Sequence, residues 1–231
     1  MYKSSNRVFT CLGLMLALSL GAADAGAAKA YTPGRRTYRL DYVFTIDPGK
    51  DERAASVRIR VSRNAKLLRS VRFRFDPKRF RDFKADGDLE VGGERLLWKP
   101  PKGGGELAYR VTINHKRGSN AYDALFTSQW ALFRGDDLVP PATVRALKNA
   151  EARAYLTFQL PEQWTAEVPY QRFASGRYQV LQARRKFDRP AGWIVAGKLG
   201  VRLETISDRK ITVAGPTGNG VSRQDMLAFL N

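Results

Sequence analysis

Tyr38-Arg39-Leu40-Asp41-Tyr42-Val43-Phe44-Thr45-Ile46-Asp47 is the stretch on which the fold turns. Side chains alternate with a period of two along an extended chain, so Tyr38, Leu40, Tyr42, Phe44 and Ile46 share one face. Arg39, Asp41, Thr45 and Asp47 share the other, which makes this a half-buried strand. Asp47-Pro48-Gly49-Lys50 follows with turn chemistry. The alternation returns in Val57-Arg58-Ile59-Arg60-Val61 and in Val71-Arg72-Phe73-Arg74-Phe75. Shorter strand candidates run over 107–113, 154–160, 178–181, 193–196, 201–206 and 210–214. Helical periodicity is scarce, and Pro141 to Ala152 reads as a short helix or an irregular connection. Short strands parted by Pro and Gly turns predict an all-β fold, an antiparallel β-sandwich or an open curved sheet with short loops.

Composition narrows the chemistry. The 231 residues hold 40 Lys plus Arg against 22 Asp plus Glu, one His and one Cys, a formal net charge of +18. A single His cannot build an H-E-x-x-H zinc site, which needs two imidazoles one helical turn apart. A single Cys forms neither an internal disulfide nor a Cys-rich metal site. With 43% hydrophobic and 11% aromatic residues, the chain has the material for a packed core, so its basicity is not a signature of disorder.

Residues 1–25 read as a secretory signal peptide. Lys3 and Arg7 form a positive n-region, Val8 to Leu20 is an apolar run, and Ala23-Asp24-Ala25 resembles a cleavage site. The run is about 13 residues, short of the roughly 20 that span a bilayer. Cys11 lies inside it, and Val8-Phe9-Thr10 is no lipoprotein box, so a processed chain is cysteine-free and carries no transmembrane segment. The expected location is periplasmic or secreted, with the fold held by core packing alone.

At the other end, Ser222 with Asp225 three residues on resembles a capping box, and Met226, Phe229 and Leu230 begin an apolar stripe that stops at Asn231. Roughly two helical turns are too few to be stable alone. The expectation is either a short docked helix or the opening element of a longer product. Before it, Gly215-Pro216-Thr217-Gly218-Asn219-Gly220-Val221-Ser222 approaches a phosphate-binding loop, but Val221 stands where the phosphate-contacting Lys belongs. No βαβ alternation surrounds it, so it reads as a linker.

Two further features bear on sites. His115 ends a strand beside Lys116 and Arg117, and a catalytic role would need an orienting carboxylate and a nucleophile, so it reads as a solvated loop residue. Between Lys50 and Lys84, 13 Lys or Arg face 4 Asp or Glu. Arg58, Arg60, Arg72 and Arg74 occupy alternate strand positions and form a candidate anion-binding face on a paired sheet. Its partners would be anionic envelope polymers or lipid head groups; the export signal argues against nucleic acid. The competing reading is a solvated face whose charges prevent strand-edge aggregation. A membrane barrel fits poorly, because barrel strands need about 9 to 11 residues and most strand candidates are shorter.

Leu132-Phe133-Arg134-Gly135-Asp136-Asp137-Leu138-Val139-Pro140 and Ala154 to Trp164, which ends Pro161-Glu162-Gln163-Trp164, resemble the amino-terminal half of glycyl-aminopeptidase-like metallopeptidases, relatives of the aminopeptidase N clan. The strand at Tyr38 and Arg189-Pro190-Ala191-Gly192-Trp193 are similar to family features as well. The resemblance implies a non-catalytic β-domain over 26–214, then over 215–231 a linker and the start of a helix that would open a catalytic domain. It implies zinc only in that following domain, so no catalytic, cofactor-binding or metal residue carries over to this chain. A catalytic peptidase domain is the implied partner, docking near Trp193, Met226, Phe229 and Leu230, and these residues are then expected to be a fragment of a longer peptidase.

Overall fold

The computed structural model describes residues 36–49, 53–116, 122–181, 187–206 and 209–218. The alternation at Tyr38 becomes β1 (Arg36–Thr45), followed by β2 (Ala54–Arg63), β3 (Leu68–Arg74), β4 (Phe80–Ala85), β5 (Asp88–Gly92), β6 (Arg95–Lys99) and β7 (Gly105–Thr112). Then come β8 (His115–Lys116), β9 (Tyr122–Phe126), β10 (Trp130–Arg134), a helical turn α1 (Gly135–Leu138), β11 (Ala142–Ala146) and β12 (Ala150–Gln159). β13 (Thr165–Glu167), β14 (Tyr178–Val180), β15 (Trp193–Gly197), β16 (Leu199–Ile206) and β17 (Arg209–Pro216) follow. The fold is all-β, with open sheets.

A six-stranded sheet in the order β14-β12-β1-β2-β7-β4 forms one layer. A five-stranded sheet, β13-β15-β10-β9-β8, and a four-stranded sheet, β11-β3-β6-β5, share its core, and β16-β17 is a separate hairpin. Tyr38, Leu40, Tyr42 and Phe44 of β1 are buried on the inner face, next to Val57, Ile59 and Val61 of β2. Each such side chain contributes about 1.5 to 3 kcal/mol by leaving water. Across the core, Phe75 packs on Phe80 and Phe83, and the Tyr178 hydroxyl donates to the Ala166 carbonyl at 3.0 Å, tying β14 to β13.

Two expectations change. Residues 141–152 hold no helix: β11 pairs antiparallel with β3, placing Ala142 opposite Phe73 and Val144 opposite Val71. Pairing at a sheet edge overrides the weak helical preference of this stretch, a common outcome where propensity is marginal. One central pairing is parallel, β1 with β12, from Arg36↔Ala150 to Thr45↔Gln159. The signal segment 1–25 and the terminal helix at 222–231 lie outside the described residues.

Candidate functional site

The four arginines of the candidate anion face separate. Arg58 and Arg60 leave β2 on the outer face of the six-stranded sheet, and Arg72 and Arg74 leave β3 in the four-stranded sheet. Val57, Ile59, Val71 and Phe73 all point into the same core, so the two Arg pairs project away from opposite sides of it. The link between β2 and β3 is no hairpin: Asn64, at a left-handed φ of 52°, and a buried 3-10 turn at Ala65–Leu67 carry the chain from one sheet to the other. Arg60 pairs with Glu106 at 3.0 Å and Arg74 with Glu94 at 3.5 Å. Beside Arg60, a cleft of about 470 Å³ is lined by Ser62, Asp86, Gly103 to Gly105 and Glu106. With two carboxylates against one guanidinium, it does not suit an anion.

His115 finds the carboxylate that its sequence context could not place. Its Nδ1 lies 2.5 Å from Asp123 Oδ1, across the β8–β9 pairing. Among the described residues no Ser, Thr or Cys is hydrogen-bonded to this imidazole, so the geometry supplies a held base and no nucleophile. Asp137 lies close to Asp123, Asp136, Arg79 and Arg134; burial pushes its carboxyl above the ordinary range, and the arginines counteract that only in part. Among the described residues no three His, Cys, Asp or Glu converge as a metal site.

The best-built polar site joins the Leu132 to Pro140 stretch to the Arg189 to Trp193 stretch. β10 and β15 pair antiparallel, with Arg134 opposite Trp193, and the guanidinium of Arg134 lies 5.9 Å from the Trp193 ring centre. The amide of Gly135 donates to Gly192 O at 2.8 Å, and the amide of Gly192 donates to Asp136 Oδ1 at 3.1 Å. Arg189 donates to the carbonyls of Asp136 and Val139, closing α1 against the 188–192 segment. A Cβ at position 135 would lie 2.9 Å from Ala191 N and from Pro190 C, so glycine is required there by close backbone approach. Apart from this site, the Ala154 to Trp164 segment ends in a turn where the Trp164 amide donates to Pro161 O at 3.1 Å, and Trp164 packs on Phe126.

Tyrosines seat this junction from beneath. Tyr42 donates to Asp188 O at 3.0 Å, Tyr109 to Leu138 O at 2.8 Å, and Tyr170 to Ala191 O at 2.6 Å. Burial raises all three phenols, Tyr170 to about 12. Asp188 is the buried charged residue among the described residues, and its carbonyl accepts the Tyr42 hydroxyl. Such a network fixes geometry and offers no exposed reacting group, so it is a structural joint.

Beyond this joint, β16 and β17 carry the chain on as a hairpin. Val201 and Leu203 are 45% and 60% exposed on one of its faces, whereas Ile211 and Val213 are buried outside the sandwich core. Among the described residues no helix is long and apolar enough to cross a membrane.

These features define a class: an all-β module with a hydrogen-bonded junction and a separate β16–β17 hairpin. No family model matches the chain. No curated protein matches it. Among solved structures, an aminopeptidase N family protein from Idiomarina loihiensis is similar with a TM-score of 0.59 at 12% identity, over 83% of this chain and 35% of that one. An M1 zinc metallopeptidase from Deinococcus radiodurans gives 0.41 at 13% identity, over 85% of this chain and 51% of that one. Aminopeptidase A of Legionella pneumophila gives 0.36 at 10% identity, over 77% and 23%. The first establishes likeness of fold, and the chain spans about a third of that protein's length. The expected resemblance to an aminopeptidase β-domain is met at the level of fold.

Proposed function

We propose that this chain is the exported β-domain of a zinc aminopeptidase-like protein, packing against a peptidase catalytic domain and walling one side of its peptide cleft. The observation that carries the reading is the fold likeness to an aminopeptidase N family protein of which these residues span only 35%. The hairpin face bearing Val201 and Leu203 supports it, because exposed apolar side chains gathered on one face mark a docking surface. In this reading 215–231 is the connection to that domain, the signal segment directs the protein to the periplasm or the medium, and zinc and the reacting groups belong to the partner domain.

The coding DNA beyond Asn231 tests the proposal. An in-frame continuation encoding H-E-x-x-H with a downstream Glu is the expected result. A stop codon there, together with no complex between this chain and any zinc peptidase domain encoded beside it, would overturn it.

A further inference from the structure

The strand register assembles a second basic group that the sequence does not reveal. On the outer face of the six-stranded sheet, Arg39 of β1 stands opposite Arg153 of β12 on one side and Arg63 of β2 on the other. Three arginines thus form one row across three adjacent strands. Like charges placed directly opposite each other destabilise a sheet. Arg39 is relieved by Asp41, whose Oδ1 lies 2.6 Å away and whose Oδ2 accepts from Ser62 at 2.7 Å. Arg63 and Arg153 are exposed, and no carboxylate among the described residues pairs with either. Glu151 is the nearest other acid on this face of β12, two residues from Arg153, and one row further along β2 Arg60 is already matched by Glu106.

The row is also stiffened. The Tyr155 ring lies beneath two guanidiniums, Arg39 at 4.9 Å and Arg177 at 5.2 Å, and Phe173 packs beside it at 6.2 Å. Cation–π contact holds both guanidiniums over a fixed platform; Arg39 donates from Nε and Nη2 to Asp41 and Arg177 from Nε to Ser175, and the remaining N–H groups are those a ligand would meet. Adjacent strands are about 4.8 Å apart, so the row spans about 10 Å. That spacing suits a chain of oxyanions better than a lone ion. Linked phosphates match such forks, since a terminal group offers three non-bridging oxygens with close to two charges at neutral pH and an internal group two oxygens with about one charge.

We propose that Arg39, Arg63, Arg153 and Arg177, set around Tyr155, form a binding site for an oligophosphate, two or more phosphate groups in sequence, either free or borne by a lipid head group. Its residues lie on β1, β2, β12 and the turn before β14, none of them on the β16–β17 hairpin.

Calorimetric titration of the full chain with tripolyphosphate at low salt tests it, with phosphatidic acid vesicles titrated in parallel. The expected result is saturable binding that Arg63→Ser and Arg153→Ser each weaken about tenfold. Tyr155→Leu changes no charge and is expected to weaken binding about threefold by releasing Arg39 and Arg177. Arg72→Ser, on the other sheet, is expected to change affinity less than about twofold. Tighter binding to tripolyphosphate assigns a free ligand, and tighter binding to vesicles a lipid-borne one; both support phosphate recognition by this row. Equal losses in the Arg72, Arg63 and Arg153 variants would overturn the proposal in favour of diffuse charge attraction, as would no binding to either probe.

Discussion

Gly135 shows how one residue governs the junction. Its missing side chain lets α1 come against Pro190 and Ala191, where any Cβ would meet backbone atoms at 2.9 Å. Backbone yields less than a flexible side chain, so Gly135→Ala is expected to lower stability by about 1 to 3 kcal/mol, read as a lower urea midpoint with an unchanged slope. An unaltered midpoint would mean that the junction is looser than its hydrogen bonds imply. Three buried tyrosines, two of them beneath the junction, make a pH prediction. Tyr38, Tyr42 and Tyr109 all have phenols raised above their ordinary value of 10.0, with burial the first cause. A group whose folded pKa is raised contributes stability that is complete below its unfolded pKa and is lost as pH rises through the folded one. The fold should therefore be indifferent to these phenols up to about pH 10 and lose stability steeply above it. Ultraviolet titration should show their ionisation arriving together with the loss of circular dichroism; smooth ionisation in a folded chain would contradict the burial.

At the scale of the element, the β16–β17 hairpin leaves Val201 and Leu203 of β16 exposed and buries Ile211, Val213 and Ala214 of β17. Val201→Ser with Leu203→Ser removes exposed side chains and should shift stability by no more than about 0.5 kcal/mol, whereas Val213→Ala, at a fully buried position, should cost about 1 to 3 kcal/mol. Comparable losses in both would show that the exposed face is covered by this chain itself and is no docking surface. The same distinction between local pattern and tertiary pairing decides what could be read from sequence. β1, β2, β3 and β7 were legible because one face of each is buried and alternation follows burial directly. β5 and β11 were not, since both are edge strands in which Asp88, Glu90, Thr143 and Arg145 face water and only the neighbouring strand supplies order. Arg58 and Arg72 looked like members of one face because their strands are successive in the chain, yet the Ala65–Leu67 turn crosses the core between them. Arg39 and Arg153 showed no relation in sequence, since a parallel register over more than a hundred residues is set by packing and leaves no local trace. The Leu132 to Pro140 stretch carried its signal because a tight junction restricts residue choice at Gly135 and Asp136 alike.

At the scale of the molecule, the chain carries a formal charge of +18, and its effect on stability depends on which electrostatic terms salt removes first. The ion pairs Arg60–Glu106, Arg74–Glu94 and Arg134–Asp136 have separations of 3.0, 3.5 and 3.1 Å, and each has at least one partner about half exposed or more. Such pairs contribute about 0 to 1 kcal/mol each. Repulsion among the excess arginines acts over longer distances, and the Debye length falls from about 30 Å at 0.01 M salt to about 8 Å at 0.15 M. Screening over that range therefore removes most of the long-range repulsion while leaving contacts at 3 to 4 Å much less affected. Repulsion of this kind destabilises a compact state, so the urea midpoint should rise as sodium chloride increases from 10 to 150 mM and level off beyond it. Chloride is the right anion for this measurement, because phosphate would also occupy the Arg63–Arg39–Arg153 row and stabilise the fold by binding. A midpoint that falls across the same range would mean that attraction within the ion pairs outweighs the net charge.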